Sequence, residues 1–211
     1  MPRRTQAPIS TRKQPQQARS TDLVAAILKA AIQVLEKEGA PRFTTARVAA
    51  RAGVSVGSVY QYFPNKASIL FRLQSEEWHE TSEMLRAILE DASRPPLVRL
   101  RAAVHAFVKS ECDEAMMRTA LDDAAPLYRD SPEAKRLKAA SANTLSAFMR
   151  EVLPRASDKT RALATELIKT TMGQAGKVFS ETARRPAEIV AYADAMSDMF
   201  SAYLRSLGAA R

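Results

Sequence analysis

The sequence predicts an all-α fold of about nine helices, and three observations carry that expectation. Apolar residues recur at three- and four-residue intervals along most of the chain. No segment alternates apolar and polar residues with period two over a useful length. Prolines and glycines interrupt the helical pattern often enough to leave short loops between long helices. With 211 residues, 46% of them hydrophobic, the chain has ample material for one large domain or for a small and a larger one.

Residues 1–19, with Pro2, Pro8 and Pro15 among Gln, Ser, Thr and basic side chains, lack apolar periodicity and read as a flexible basic arm. Ser20 or Thr21 is placed to cap a first helix. Its stripe of Leu23, Val24, Ile27, Leu28, Ala31, Val34 and Leu35 stops at Gly39 and Pro41. Thr44 or Thr45 caps a shorter second helix through Val48 and Ala49 to Ala52, ended by Gly53. After Val54 and Ser55, the run VGSVYQYF gives a third helix of barely two turns before Pro64, since the residue ahead of a proline is pushed out of helical geometry. Asn65 caps a long fourth helix carrying Ile69, Leu70, Leu73, Met84, Leu85 and Ile88, stopped by Arg94, Pro95 and Pro96. Leu97, Leu100, Val104, Phe107 and Val108 mark a fifth helix. Four more are expected over residues 113–124, 132–152, 158–181 and 186–207.

Charge is distributed unevenly. The chain carries 32 Lys and Arg against 23 Asp and Glu, a net +9. Residues 1–66 hold 11 basic and 3 acidic side chains, net +8, and the remainder is close to neutral. A polyanion-binding module joined to a neutral module has this pattern, because neutralising phosphates dominates nucleic-acid affinity. A basic tail on an ordinary domain has it too. No run approaches eighteen apolar residues and no apolar stretch follows the first arginines, so neither a membrane span nor a signal peptide is expected. A single cysteine, Cys112, excludes an internal disulfide and fits a reducing, cytoplasmic location.

The second and third helices with the glycine turn between them have the layout of a helix-turn-helix, whose second helix enters the DNA major groove. Gly53 supplies the positive dihedral of a sharp turn. Ser55 caps the third helix and offers a hydroxyl to phosphate. Gly57 lets the backbone approach DNA closely, while Val56 and Ser58 stand where base edges would lie, Val56 suited to a thymine methyl group. Tyr60 and Tyr62 offer phenolic hydrogen bonds to phosphate oxygens, and Lys66 adds a point charge.

The segment TTARVAARAGVSVGSVYQYFPNKASIL, Thr44 to Leu70, resembles the DNA-binding signature of the TetR family of bacterial transcriptional regulators, roughly AGVSxGTxYxYFxxKxxL. The one departure is Ser58 where threonine is usual. The resemblance implies a homodimer that binds a palindromic double-stranded DNA operator through N-terminal three-helix domains. It also implies a larger C-terminal helical domain that dimerises and holds a small-molecule ligand that loosens DNA binding. Carried onto this chain, it makes residues 20–66 the DNA-binding domain and 67–211 the ligand-binding and dimerisation domain. Thr45, Ser55, Tyr60, Tyr62 and Lys66 become phosphate contacts, and Val56, Gly57 and Ser58 face the bases. Arg47, in the first turn of the second helix, is a candidate for a base or phosphate contact, or a solvated surface residue. Val59 and Phe63 read as core. Arg3, Arg4, Arg12, Lys13 and Arg19 could reach a minor groove or merely raise attraction to DNA.

In the last helix Ile189, Tyr192, Met196, Met199, Phe200, Tyr203 and Leu207 form a wide apolar stripe. The helix before it offers Leu163, Leu167, Met172 and Val178, with Gly173 and Gly176 permitting close approach. Two such helices from each subunit would make the four-helix interface that the resemblance suggests, with intramolecular core the competing reading. Met172, Gly176, Ile189, Tyr192, Met196, Met199 and Tyr203 are the interface candidates. For a ligand cavity the candidates are Phe71, Trp78, His79, His105, Phe107, Cys112, Met116, Met117, Phe148, Met149 and Met172, since methionines and aromatics suit an adaptable apolar pocket.

An enzyme is not expected. Two separated histidines, one cysteine, no glycine-rich phosphate loop and no metal-spaced cluster leave no catalytic constellation, and no cofactor or metal is implied. Glu76 with Glu77, and Asp122 with Asp123, are helix neighbours that point about 100° apart rather than converging. A DNA-binding nucleoid or division factor without small-molecule control remains the alternative, and a filled C-terminal core would mark it.

Overall fold

A computed structural model describes residue 9, residues 18–140 and residues 142–210. The arm, apart from Ile9 and the two residues that open the first helix, lies outside the described residues, and with it Arg3, Arg4, Arg12 and Lys13. The described residues are helical throughout, without strands: α1 Ala18–Arg42, α2 Thr45–Ala52, α3 Val56–Tyr62, α4 Lys66–Leu89, α5 Pro96–Asp113, α6 Ala115–Ala124, α7 Pro132–Ala140, α8 Ala142–Val152, α9 Asp158–Ser180 and α10 Pro186–Ser206. A short 3-10 turn, Ala125–Leu127, follows α6. None of these helices is long and apolar enough to cross a membrane.

The first helix begins at Ala18, ahead of its expected caps, and is kinked where the stripe ends, at Gly39 with φ 72, before closing at Arg42. The expected span 132–152 is helical over Pro132–Ala140 and Ala142–Val152, with residue 141 between them outside the described residues. The described residues fall into two compact units. One compact unit takes the described residues up to Glu77 together with Met116–Leu137, and the other takes Trp78–Ala115 and the chain from Lys138 onward.

In the first unit, α2 packs on α1 and α3 on α2. Ile27, Ala31, Leu35, Phe43, Val48, Val59, Phe63, Ile69 and Leu70 are buried there. Burying a side chain of this size contributes about 1.5–3 kcal/mol each. Asn65 caps α4, its Oδ1 accepting from the Ser68 amide at 2.9 Å while the Ser68 hydroxyl donates back to the Asn65 carbonyl at 2.7 Å. Within the same unit α6 carries Arg118, whose Nη1 lies 2.8 Å from Oε1 of the buried Glu77. Gln74 donates to the other Glu77 oxygen at 2.8 Å, and the buried Tyr128 hydroxyl donates to the Leu121 carbonyl at 2.9 Å. Burial raises the Tyr128 phenol above its usual range, so the hydroxyl stays protonated.

The second unit has its own core. Leu100, Val104 and Val108 of α5, Phe148, Met149 and Val152 of α8, Ala164 and Ile168 of α9, and Met196, Phe200 and Leu204 of α10 pack together. Pro96 opens α5 as its first helical residue, where the missing N–H costs nothing. The buried Arg99 is held by the Leu89 carbonyl and the Glu151 carboxylate, its guanidinium 5.5 Å from the Phe148 ring centroid.

Candidate nucleic-acid interface and effector cavity

The turn between α2 and α3 is built by short-range chemistry. Thr44, not Thr45, is the cap of α2, its Oγ1 accepting from the Arg47 amide at 3.3 Å. Gly53 closes α2 in the left-handed region at φ 69, ψ 30, and its N–H returns to the carbonyls of Ala49 and Ala50. A side chain would strain that position, which is why glycine stands there. Val54 then donates to the Ala49 carbonyl at 3.0 Å, setting the direction of the exit. Ser55 caps α3, accepting from the Ser58 amide at 3.0 Å, and its hydroxyl sits 2.8 Å from that of Ser58.

So oriented, α3 buries Val59, Tyr62 and Phe63 and turns Val56, Gly57, Tyr60 and Gln61 outward, with Ser58 between the two faces. Val56 is 39% and Tyr60 43% exposed. A methyl group at Gly57 would meet only Ser55 Oγ, at 3.6 Å, so space alone does not demand glycine. Lys66 is exposed at the start of α4. Arg47 is exposed but engaged, its guanidinium paired with Glu38 of α1, and Arg51 donates to Gln33 at 2.6 Å.

Two of the expected phosphate-binding side chains are placed differently. Thr45 is buried beneath α2, and Tyr62 is buried with Val59 and Phe63 because it falls on the inward side of α3. Gln61, which the sequence did not single out, is also exposed, four residues from Gly57 and thus one turn along the same face.

The second unit contains a cavity of about 480 Å3 bounded by α4, α5, α8 and α9. Trp78, Phe107 and Met172 line it as expected, together with Leu85, Leu100 and Leu145. The other candidates do not. Phe71 stacks obliquely on Tyr128 in the first unit, with centroids 5.7 Å apart. Phe148 and Met149 are consumed by the second unit's core. His79 is exposed, and His105 Nε2 lies 3.0 Å from Asp194 Oδ1 on α10. Met117 is half-buried and outside the lining, and Met116 is 67% exposed. Cys112 is half-buried, and burial with Asp113 and Glu111 nearby pushes its thiol up, away from the reactive thiolate.

The expected interface residues separate likewise. Met196 is buried in the core. Gly176 faces α5, where a methyl group would come within 2.9 Å of Phe107 Cε1 and 3.3 Å of Glu111 Cγ, so its smallness serves packing inside the chain. Tyr192 stacks on Phe179 at 3.9 Å and lies 3.2 Å from the Ala175 carbonyl. Ile189 and Tyr203 pack against the core, and Met172 belongs to the cavity. Met199 alone of the set is substantially exposed, joining Leu163, Leu167 and Val178 of α9. Leu163 at 64% and Val178 at 61% are the most open of these.

No group of three His, Cys, Asp or Glu side chains among the described residues is disposed to hold a metal.

Comparison with known proteins agrees with this geometry. Residues 27–73 match the family model described as bacterial regulatory proteins of the tetR family, and residues 95–207 match the tetracyclin repressor-like C-terminal domain. The nucleoid occlusion factor SlmA of Vibrio campbellii is 42% identical over 82 residues, 37% of this chain and 40% of that protein, so the chain matches about two fifths of that relative's length. Among solved structures, the fatty acid degradation regulator FadR from Bacillus halodurans superposes with a TM-score of 0.67 at 18% identity, over 89% of this chain and 96% of that one. FadR from Bacillus subtilis in complex with stearoyl-CoA gives 0.66 at 19% identity, over 83% and 96%. At such identities the two structures share the fold. The two family models together cover the helix-turn-helix and most of the second unit, and the chain belongs to the TetR family of bacterial DNA-binding transcriptional regulators.

Proposed function

We propose that the chain is a repressor that binds a two-fold symmetric operator as a homodimer and is released by a small hydrophobic ligand. The observation that carries this reading is the outward face of α3, where Val56, Gly57 and Tyr60 stand exposed on a rigid, doubly capped turn. Val56, Gly57 and Ser58 face base edges, with Gln61 one turn along. Ser55, Tyr60 and Lys66 hold phosphates. Arg47 joins them only by leaving Glu38, and the buried rings of Tyr62 and Phe63 keep α3 in place. Selection from random duplex DNA tests this: a palindromic consensus is expected, and no enrichment overturns it. On that operator Lys66→Ala weakens binding to every sequence and lowers the slope of log affinity against log salt by about one. An unchanged slope removes Lys66 from the backbone contacts.

The dimer face is assigned to the exposed apolar side chains Leu163, Leu167 and Val178 of α9 with Met199 of α10. Because these side chains lie outside the second unit's core, Leu167→Glu with Val178→Glu is expected to give a folded monomer by light scattering and weak operator binding, a single half-site being held poorly. A dimer that persists moves the interface elsewhere.

The cavity supports release by a ligand. It is apolar, lies within the 300–1,000 Å3 typical of small-molecule sites, and stands in a unit with a separate core. The stearoyl-CoA bound by the Bacillus subtilis FadR supports small-molecule control in this fold. A nucleoid occlusion role without a ligand, suggested by the partial match to SlmA, would be better served by a filled core.

A further inference from the structure

From the cavity lining we infer that the effector is an uncharged, largely apolar molecule held without an ionic anchor, a reading that rests on this cavity being the effector site. Its deep wall is Leu89, Leu100, Ala103, Phe107 and Ile168, all buried and none able to balance a charge. Thr81, Ser82 and Thr144 also line it, and these uncharged polar side chains cannot balance a charge either. Among the described residues, the charged lining side chains are Glu166 and Lys169. Both are exposed at the margin, one turn apart on α9, with Lys169 Nζ 3.9 Å from Glu166 Oε2.

Those two charges cancel. An anionic ligand attracted by Lys169 is repelled by Glu166 beside it, and a cation meets the reverse. A charge carried deeper loses its hydration against hydrocarbon with nothing to replace it. The apolar body of a neutral ligand forfeits neither, and its burial against Trp78, Phe107 and Met172 supplies the affinity.

Trp78 is the chain's single tryptophan and lies in the cavity wall, so its fluorescence reports occupancy directly. The test uses the full chain and two probes with one skeleton, the neutral N-phenyl-1-naphthylamine and the anionic 1-anilinonaphthalene-8-sulfonate, each titrated by energy transfer from Trp78. Gly173→Leu serves as the filled-cavity control. Gly173 lines the cavity within α9 and a Cβ there has no neighbour within 4 Å, so the helix accepts the side chain while the space is taken; circular dichroism and melting verify the fold.

The neutral probe is expected to bind at least about tenfold more tightly than the sulfonate and to lose binding in Gly173→Leu. A sulfonate that binds within about tenfold of the neutral probe, is blocked by Gly173→Leu and is weakened by Lys169→Gln overturns the uncharged class while leaving the cavity a ligand site. Binding of both probes that is indifferent to Gly173→Leu, or no energy transfer with either, removes the cavity as the effector site and the inference with it.

Discussion

Gly57→Leu is expected to fold as the parent does and to lose operator binding by at least about a hundredfold, well inside the thousandfold or more that separates specific from non-specific DNA affinity. The two halves of that expectation have separate causes. A Cβ at Gly57 meets only Ser55 Oγ, at an ordinary contact distance of 3.6 Å, so the substitution displaces nothing within the protein. Leucine also removes the entropic cost of glycine within a helix, a gain of about 0.5–1 kcal/mol. Yet the new side chain projects from the outward face of α3 between Val56 and Tyr60, where under the proposed contacts it would hold the helix backbone away from base edges and lift Tyr60 from phosphate. A fluorescence-anisotropy titration on the selected operator, with a melting curve alongside, measures both. Unchanged affinity with an intact fold would mean that another surface reads the DNA.

Glu77→Ala is expected to destabilise the first unit by about 3–5 kcal/mol, a large share of the stability of an ordinary domain. The carboxylate is buried, with Arg118 2.8 Å away on one oxygen and Gln74 Nε2 at 2.8 Å on the other. Removing it takes from the mostly buried Arg118 guanidinium its partner at 2.8 Å and from the buried Gln74 amide an acceptor. Replacing both charged partners, Glu77→Leu with Arg118→Met, should recover most of the loss, because the cost lies in breaking one side of a buried pair rather than in the absent attraction. Urea denaturation of the three variants distinguishes these terms. A single-variant loss below about 1 kcal/mol would mean that water reaches the pair as it does a surface one.

What could be read from the sequence was chemistry that acts over three or four residues. Ser55 as the cap of α3, Gly53 as a left-handed stop and Asn65 as the opening of α4 each need only their immediate neighbours, and each is found where expected. Thr44 and Thr45 could not be told apart, because both precede the apolar pattern and only the backbone at Thr44 is extended. The outcome was poorest where a helix is apolar on more than one side. Gly173 and Gly176 differ by three positions and look alike in sequence, but one opens on the cavity and the other is pressed against Phe107. Met196 and Met199 divide the same way between core and surface. His105 was open to a ligand role until its partner, Asp194, proved to be 89 residues further along. Likewise nothing local assigns α6 to the first unit, since the tie is a charge pair reaching back from Arg118 to Glu77.

The serine pair at the start of α3 sets a limit on how that turn can hold a phosphate. Two hydroxyls carry two hydrogens, and the 2.8 Å contact between Ser55 Oγ and Ser58 Oγ places one of them between the two oxygens. A phosphate oxygen accepts but cannot donate, so the pair has one hydrogen left to give it. The donor's identity follows from which serine rotates: if Ser58 donates to Ser55, the free hydrogen is on Ser55, and the reverse holds if Ser55 donates. Ser55 already accepts from the Ser58 amide at 3.0 Å, yet a hydroxyl oxygen has room for two acceptor contacts, so either arrangement is open to it. The pair therefore works as a single donor with two possible positions, able to follow a phosphate between them without any movement of the helix that carries it.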